Sequence, residues 1–241
     1  MIKFKLFHRR NDILGDEIMK ILCIVQARMG SERLPGKVMR EIEGKPMISY
    51  TLNSLKKARY VDEVILATSI LEINDKLAEY AEDIGFEVFR GCEDNVLERF
   101  KKVADKHDGD VIIRVTGDCP LINPIIVDNV VTKFLMYDYD YVRLDVPNTF
   151  QRGFDVEVFS KEALDKVYAI ACSEENINKE EYQPFREHVT YYIYNHQDEF
   201  EVGYVKGEGK YFENRDINLS VDRIEDFERV KDIIKSNSNT K

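Results

Sequence analysis

The sequence has no tryptophan, and its 241 residues include only four cysteines and 6 prolines. Cys23, Cys92, Cys119 and Cys172 form no C-x-x-C pair and stand at no zinc-ligand spacing from His8, His107, His188 or His196. That excludes a disulfide framework and the familiar zinc modules, and fits reduced thiols in a cytoplasmic protein. No apolar run approaches the roughly 20 residues that span a bilayer, so no membrane partner is expected. The opening stretch "MIKFKLFHRRNDILGDEIMK" begins basic but lacks the unbroken apolar core and small-residue cleavage site of a signal peptide. A basic surplus is missing too: 35 Lys and Arg face 45 Asp and Glu, a net charge of −10. A general nucleic-acid binder needs a basic face, so no nucleic-acid partner is expected. Internal repeats are absent, as is any Gly/Ser/Pro-rich linker that would separate independent domains.

What the chain does have is alternation of two periods. Short runs rich in Val and Ile at Ile21–Gln26, Glu63–Thr68, Phe86–Phe89 and Asp110–Val115 read as buried strands. Between them, Pro46–Arg59, Leu71–Ile84 and Glu93–Lys106 carry apolar residues at helical spacing, and Asn123-Pro124 opens a helix to Met136. Strand–helix alternation of this kind predicts an α/β fold with a mostly parallel sheet covered by helices. The second half is less regular. "DVEVFS", "FEVGYVKG" and "INLSVD" read as strands, Lys161–Ala171 as a helix, "FREHVTYYIYNH" as an aromatic helix and "IEDFERVKDIIK" as the closing one. The expected organisation is an extension over 1–18, one domain over 19–235 with a smaller lobe over about 147–215, and a flexible tail over 236–241.

Positive charge concentrates in one loop, "VQARMGSERLPGKVM", directly after the first strand. Its glycines, Gly30 and Gly36, let backbone approach a ligand or adopt φ > 0, and Pro35 stiffens the turn. Arg28 and Arg33 can grip an anion bidentately, and Lys37 adds a point charge. Five residues separate the glycines and Val38 follows Lys37, so this is not a Walker A loop; the G-x-G-x-x-G spacing is absent as well. The loop reads as a phosphate cradle of another type. Opposite it in function, "RVTGDCP" ends a buried strand with Asp118, where ligands of open α/β sheets bind and where a carboxylate can hold magnesium. Asp155 and Glu157 in "QRGFDVEVF" share one face of a strand. No histidine pairs with Cys119 in a recognisable motif, which argues against a thiol nucleophile.

The string "VQARMGSERLPGKVMREIEGKPMI" resembles the signature of the cytidylyltransferase-like nucleotidyltransferases. The resemblance continues through "DEVILATS", "FRGCEDNVLERF", "VIIRVTGDCPLINP", "FDVEVF", "REHVT" and "LSVDRIEDFERV". It is strongest to the spore-coat polysaccharide biosynthesis branch and more distant to sialate and 3-deoxy-manno-octulosonate cytidylyltransferases. It implies a Rossmann-like, GT-A-like fold and a smaller acceptor and dimerisation lobe, with a homodimer as one assembly. It also implies a Mg2+-dependent enzyme that takes CTP, or another nucleoside triphosphate, and a small-molecule acceptor, and releases pyrophosphate. The acceptor classes it leaves open are a sugar acid, a sugar phosphate or a phosphorylated or phosphonylated metabolite for surface polysaccharide. Nucleotide binding is implied for Gln26, Ala27, Arg28, Gly30, Ser31, Arg33, Lys37, Thr68 and Gly117, with Arg28, Lys37 and Asp118 catalytic. Asp118 and Asp222 match the metal ligands, although Arg223-Ile224 follows Asp222 where many relatives have Thr-Pro. Arg90, Arg152, Asp155, Glu157, Arg186 and His188 fall near the acceptor, and Glu93 and Arg99 border the pocket. Two other functions stay open: a nucleotide-sugar glycosyltransferase using the D-x-D at Asp138–Asp140, and a non-enzymatic nucleotide-binding protein.

Overall fold

A computed structural model describes residues 19–238; the expected extension over 1–18 and the last residues of the expected tail, 239–241, lie outside the described residues. In chain order the strands are β1 (Ile21–Gln26), β2 (Glu41–Ile42), β3 (Lys45–Pro46), β4 (Glu63–Ser69), β5 (Glu87–Gly91), β6 (Val111–Thr116), β7 (Tyr141–Leu144), β8 (Glu157–Ser160) and β9 (Val202–Val205). The helices are α1 (Met47–Leu55), α2 (Asp75–Asp83), α3 (Val96–Lys106), α4 (Pro124–Met136), α5 (Lys161–Ala171), α6 (Gln183–Glu187), α7 (Tyr191–Asn195), α8 (Lys210–Glu213) and α9 (Ile224–Ser238). Seven strands form one sheet in the order β5-β4-β1-β6-β8-β7-β9. The pairings β5-β4, β4-β1, β1-β6 and β7-β9 are parallel, while β8 runs antiparallel to both β6 and β7. The expected α/β class with a mostly parallel sheet is therefore the observed one.

The alternation in β1 shows why that strand is apolar from Ile21 to Val25. Ile21, Cys23 and Val25 enter one core, with Leu52 of α1, Leu77 of α2, Val130 of α4 and Val230 of α9. Leu22 and Ile24 enter the other, with Phe100 of α3, Leu164 of α5 and Ile193 of α7. A strand buried on both faces has no polar side to display. Asn123 and Ser160 cap α4 and α5 by accepting from the backbone N–H of Ile125 and Ala163, which fixes those starts where the sequence suggested.

Four local expectations are corrected. "INLSVD" is not a strand: Leu219 N–H donates to Arg152 O and Val221 N–H to Asp118 O, two unrelated segments, so no ladder forms although Leu219 and Val221 are buried. The aromatic helix is two short ones, α6 and α7, broken at His188–Thr190. The strand β7 follows the polar "DYD" turn and was not anticipated. The closing helix runs on to Ser238, into the stretch expected as tail. Residues 147–215 contribute β8 and β9 to the common sheet.

Candidate active site

The cationic loop leaves β1 at the carboxyl edge of the sheet and folds on itself. Met29 O accepts from Ser31 N–H and Gly36 N–H, both at 2.9 Å, and Met29 N–H donates to the buried Asn74 Oδ1 at 2.8 Å. Gly36 adopts φ 67°, ψ 15°, the left-handed turn in which a side chain is strained, and starts the 3-10 turn that carries Lys37. Among the described residues the backbone N–H groups of Arg28, Gly30 and Arg33 donate to no protein acceptor. These donors and the cations border a cavity of about 420 Å³ with Gln26, Ala27, Ser31, Thr116, Gly117, Asp118, His188 and Asp222. Gly117 has its own steric reason: a Cβ there would meet Ala27 Cβ at 2.7 Å and Ile48 Cδ1 at 2.9 Å.

Lys37 joins the two aspartates. Its Nζ lies 2.7 Å from Asp118 Oδ2, 3.1 Å from Asp222 Oδ1 and 2.6 Å from Val221 O. Arg33 reaches the same Asp222 oxygen at 2.8 Å, and Arg28 pairs with Glu93 at 2.7 Å. Burial would lower the Lys37 pKa, but Asp118 and Asp222 more than offset this and raise it. Burial would likewise raise the Asp118 carboxyl, and Lys37 outweighs it, holding the group below the usual carboxylate range. Asp222 does not cap α9. Asp226 reaches back to the N–H groups of Asp222 and Arg223, at 3.2 and 3.0 Å, which leaves the Asp222 carboxylate to the loop cations. The bond from Val221 N–H to Asp118 O sets the two aspartates side by side.

A second cavity, of about 270 Å³, adjoins the first at Thr116. Arg152, Asp155 and Glu157 border it, together with Arg114, Arg143 and Tyr194. Burial and the neighbouring Glu157 charge push the Asp155 carboxyl above its ordinary value. Across the sheet, Glu157 stands in register with Arg114 on β6 and Arg143 on β7. Two cavities, both of mixed charge and the first with the free backbone donors of the loop in addition, meet at the carboxyl end of β6.

The family model of the cytidylyltransferases matches residues 22–239. The chain belongs to the cytidylyltransferase family. The spore coat polysaccharide biosynthesis protein SpsF of Bacillus subtilis is 34% identical over 217 residues, 88% of this chain and 85% of its own. A solved cytidylyltransferase of Leptospira borgpetersenii shares 31% identity with a TM-score of 0.81, covering 90% of this chain and 87% of that one. A CMP:2-keto-3-deoxy-manno-octonic acid synthetase complexed with CTP superposes with a TM-score of 0.66 at 18% identity, over 90% of this chain and 99% of that one, a likeness of fold.

This member of the family departs from the sequence reading at several residues. Thr68 is fully buried, borders neither cavity, and its Oγ1 has no partner among the described residues. Arg90 is held by Asp75 at 2.6 Å and by the carbonyls of Ser69 and Leu71. Arg186 donates to the carbonyls of Ala171, Asn176 and Lys179, clamping the turn after α5. Neither arginine borders a cavity: the donors of Arg186 are committed to backbone carbonyls, and those of Arg90 to Asp75 and two carbonyls. Glu157 borders the second cavity, but Arg114, Tyr141, Tyr194 and Thr190 all direct donors at its carboxylate. His188 faces the first cavity rather than the second, and Arg99 borders the first. Glu93 is the counter-ion of Arg28. Cys119 is buried and its thiol is pushed well up by burial and by Asp118, which leaves it no thiolate to attack with.

Asn74, Arg114, Thr116, Arg143 and Tyr194 were not singled out from sequence. Arg114 carried a signal: a lone cation inside "VIIRVT", a strand otherwise fit for burial, implies a buried partner. The Asp138–Asp140 turn precedes β7, which runs parallel to β6, so it lies at the opposite edge of the sheet from both cavities.

Proposed function

We propose that this chain transfers the cytidylyl group of CTP to an oxygen of a small acidic acceptor and releases pyrophosphate, with Mg2+ held by Asp118 and Asp222. The observation that carries this reading is the convergence of two aspartates, distant in sequence, on one cation inside the cavity, at 2.7 and 3.1 Å from Lys37 Nζ. An ammonium is a stand-in for the charge such a pair accepts, so the residues fit a magnesium site. Magnesium typically takes one or two protein carboxylates and completes its shell with phosphate and water. When bound, Mg2+ would neutralise charge on the triphosphate.

The rest falls to the chain. Arg28, Arg33, Lys37 and the N–H groups of the loop hold the phosphates and stabilise the charge that gathers on the leaving pyrophosphate. The second cavity takes the acceptor, with Arg152 and Arg143 toward its anionic group and Asp155 accepting from a hydroxyl. Thr116, common to both cavities, marks where the acceptor oxygen would meet the α-phosphorus for in-line attack. The preference for CTP over other nucleoside triphosphates, and for a sugar acid, sugar phosphate or phosphonylated acceptor, rests on the family. So does a homodimer formed through the 147–215 lobe, which light scattering reads directly. Among the described residues no helix is long and apolar enough to cross a membrane; a cytoplasmic location rests on the family.

The test is pyrophosphate release with each nucleoside triphosphate against a panel of acceptors, with and without Mg2+. CTP-dependent release that requires both acceptor and metal is expected. Transfer from a nucleotide-sugar in place of CTP would refute the reading.

A further inference from the structure

The three loop cations do not wait with open coordination. Lys37 has three N–H donors, and three acceptors surround it: Asp118 Oδ2, Asp222 Oδ1 and Val221 O. Arg33 shares the Asp222 oxygen, at 2.8 Å. A magnesium ion bonds its oxygens at about 2.0–2.1 Å. It cannot join Asp118 Oδ2 to Asp222 Oδ1 while an ammonium occupies the space between them, and a second cation there is opposed by direct charge repulsion.

We propose that Lys37 and Arg33 are internal counter-cations that exclude a divalent metal from Asp118 and Asp222 until a triphosphate draws them away. This role rests on the metal reading above and extends it to the order of events. Phosphate oxygens offer the two cations alternative partners, and the aspartates are uncovered as the cations leave. The metal therefore enters with the nucleotide and not before it. Because the two ligands bias the same pair of side chains, each tightens the other's binding by the same factor. Lys37 and Arg33 thus act on metal affinity in a direction opposite to their contribution to nucleotide affinity.

Mn2+ alone, titrated into the ligand-free protein by calorimetry and by the electron paramagnetic resonance of the free ion, tests this. Wild type should bind Mn2+ weakly. Lys37→Met, which keeps the stem and removes the charge, should bind it tighter by on the order of tenfold or more. Arg33→Gln, on a side chain 60% exposed, leaves the fold intact and should give a smaller gain. Adding Asp118→Asn to Lys37→Met should abolish the gain, a result that general loosening of the site would not produce. The proposal is overturned if neither variant binds Mn2+ more tightly than wild type, or if wild type binds it tightly without nucleotide; the second result leaves the metal site itself standing. If no protein binds Mn2+ even with CTP present beyond what CTP alone takes up, the metal reading fails and this proposal with it.

Discussion

Glu157→Gln separates a structural charge from a substrate ligand. The carboxylate is buried and accepts from Tyr141 Oη at 2.6 Å, from Thr190 Oγ1 at 3.1 and 3.2 Å, and from Arg114 and Tyr194. Arg114 Nε in turn donates to Gln26 Oε1 at 3.0 Å, which ties this network to the first cavity. The amide of glutamine keeps one oxygen for these donors; the hydroxyls can turn to accept from its NH2, but the Arg114 guanidinium can only donate. The Arg114 guanidinium is then left buried with no counter-charge, and breaking a buried pair on one side costs about 3–5 kcal/mol. Urea unfolding of the ligand-free protein should show that loss. Arg114→Met in the same chain should recover most of it, since removing both charges of such a pair is often close to neutral. Burial alone would raise the Glu157 carboxyl, yet Arg114 and the tyrosine hydroxyls hold it below its ordinary value. A depressed carboxyl contributes stability above its unfolded pKa and loses it as pH falls through the folded one. Wild type should therefore lose stability on acidification in a way the glutamine variant does not. A cost under about 1 kcal/mol, or a double variant whose cost is the sum of the two singles, would refute this account. So would unchanged stability with a raised KM for acceptor, the outcome expected of a substrate ligand.

Asp118→Asn should lower pyrophosphate release by on the order of 100-fold or more, the loss of several kcal/mol of electrostatic stabilisation, with an unchanged circular-dichroism spectrum; near-normal turnover at saturating Mg2+ would remove Asp118 from the reaction. Asp155→Asn should stabilise the ligand-free protein in urea at neutral pH. Burial and Glu157 raise the Asp155 carboxyl, so wild type loses stability as pH rises from the unfolded to the folded pKa, and the variant should lack that decline while its acceptor KM rises. Thr68→Val should be neutral to stabilising, since it removes a buried hydroxyl without a partner among the described residues. CTP affinity by calorimetry should not change, and a weaker affinity would return Thr68 to the nucleotide site.

Of the four leading strands, β1, β4 and β6 were legible because they are buried on both faces and so are almost wholly apolar, with turns at their ends; the half-exposed edge strand β5 was marked by its short apolar run and the turns beside it. The second half was harder for a physical reason. Its strand β8 lies between antiparallel neighbours and starts with Glu157, two residues after Asp155, so the stretch mixes core with site. Strand β7 is only four residues long and contains Arg143, whose guanidinium stacks over the Tyr194 and Tyr204 rings at 4.8 and 5.5 Å. Neither a period nor a propensity announces a strand whose one charged side chain is covered by aromatics from elsewhere. "INLSVD" misled in the opposite direction. It alternates as a strand does because Leu219 and Val221 enter the core, but alternation reports burial and not the presence of a paired neighbour.

The site was legible as residues and not as charges. Its loop reads as a surplus of three cations because the counter-charges are remote: Glu93 lies 65 positions from Arg28, Asp118 lies 81 from Lys37, and Asp222 lies 185 from Lys37. Folding brings three carboxylates to three cations, so the formal charge of the six groups is zero. A phosphate entering the cavity does not meet a preformed positive field from these groups. On the proposed reading it would displace carboxylates from partners already at hydrogen-bond distance. Each charge-assisted contact, typically about 1.5–3 kcal/mol, is then offset by the contact it replaces. The net gain must come from what the exchange leaves behind, which is a pair of adjacent aspartates stripped of their cations. Left bare, they would repel each other and the phosphates; with a divalent ion between them they become a further attraction. On the proposed reading, an acidic chain would bind a polyanion through the counter-ions it exchanges and not through an excess of positive charge.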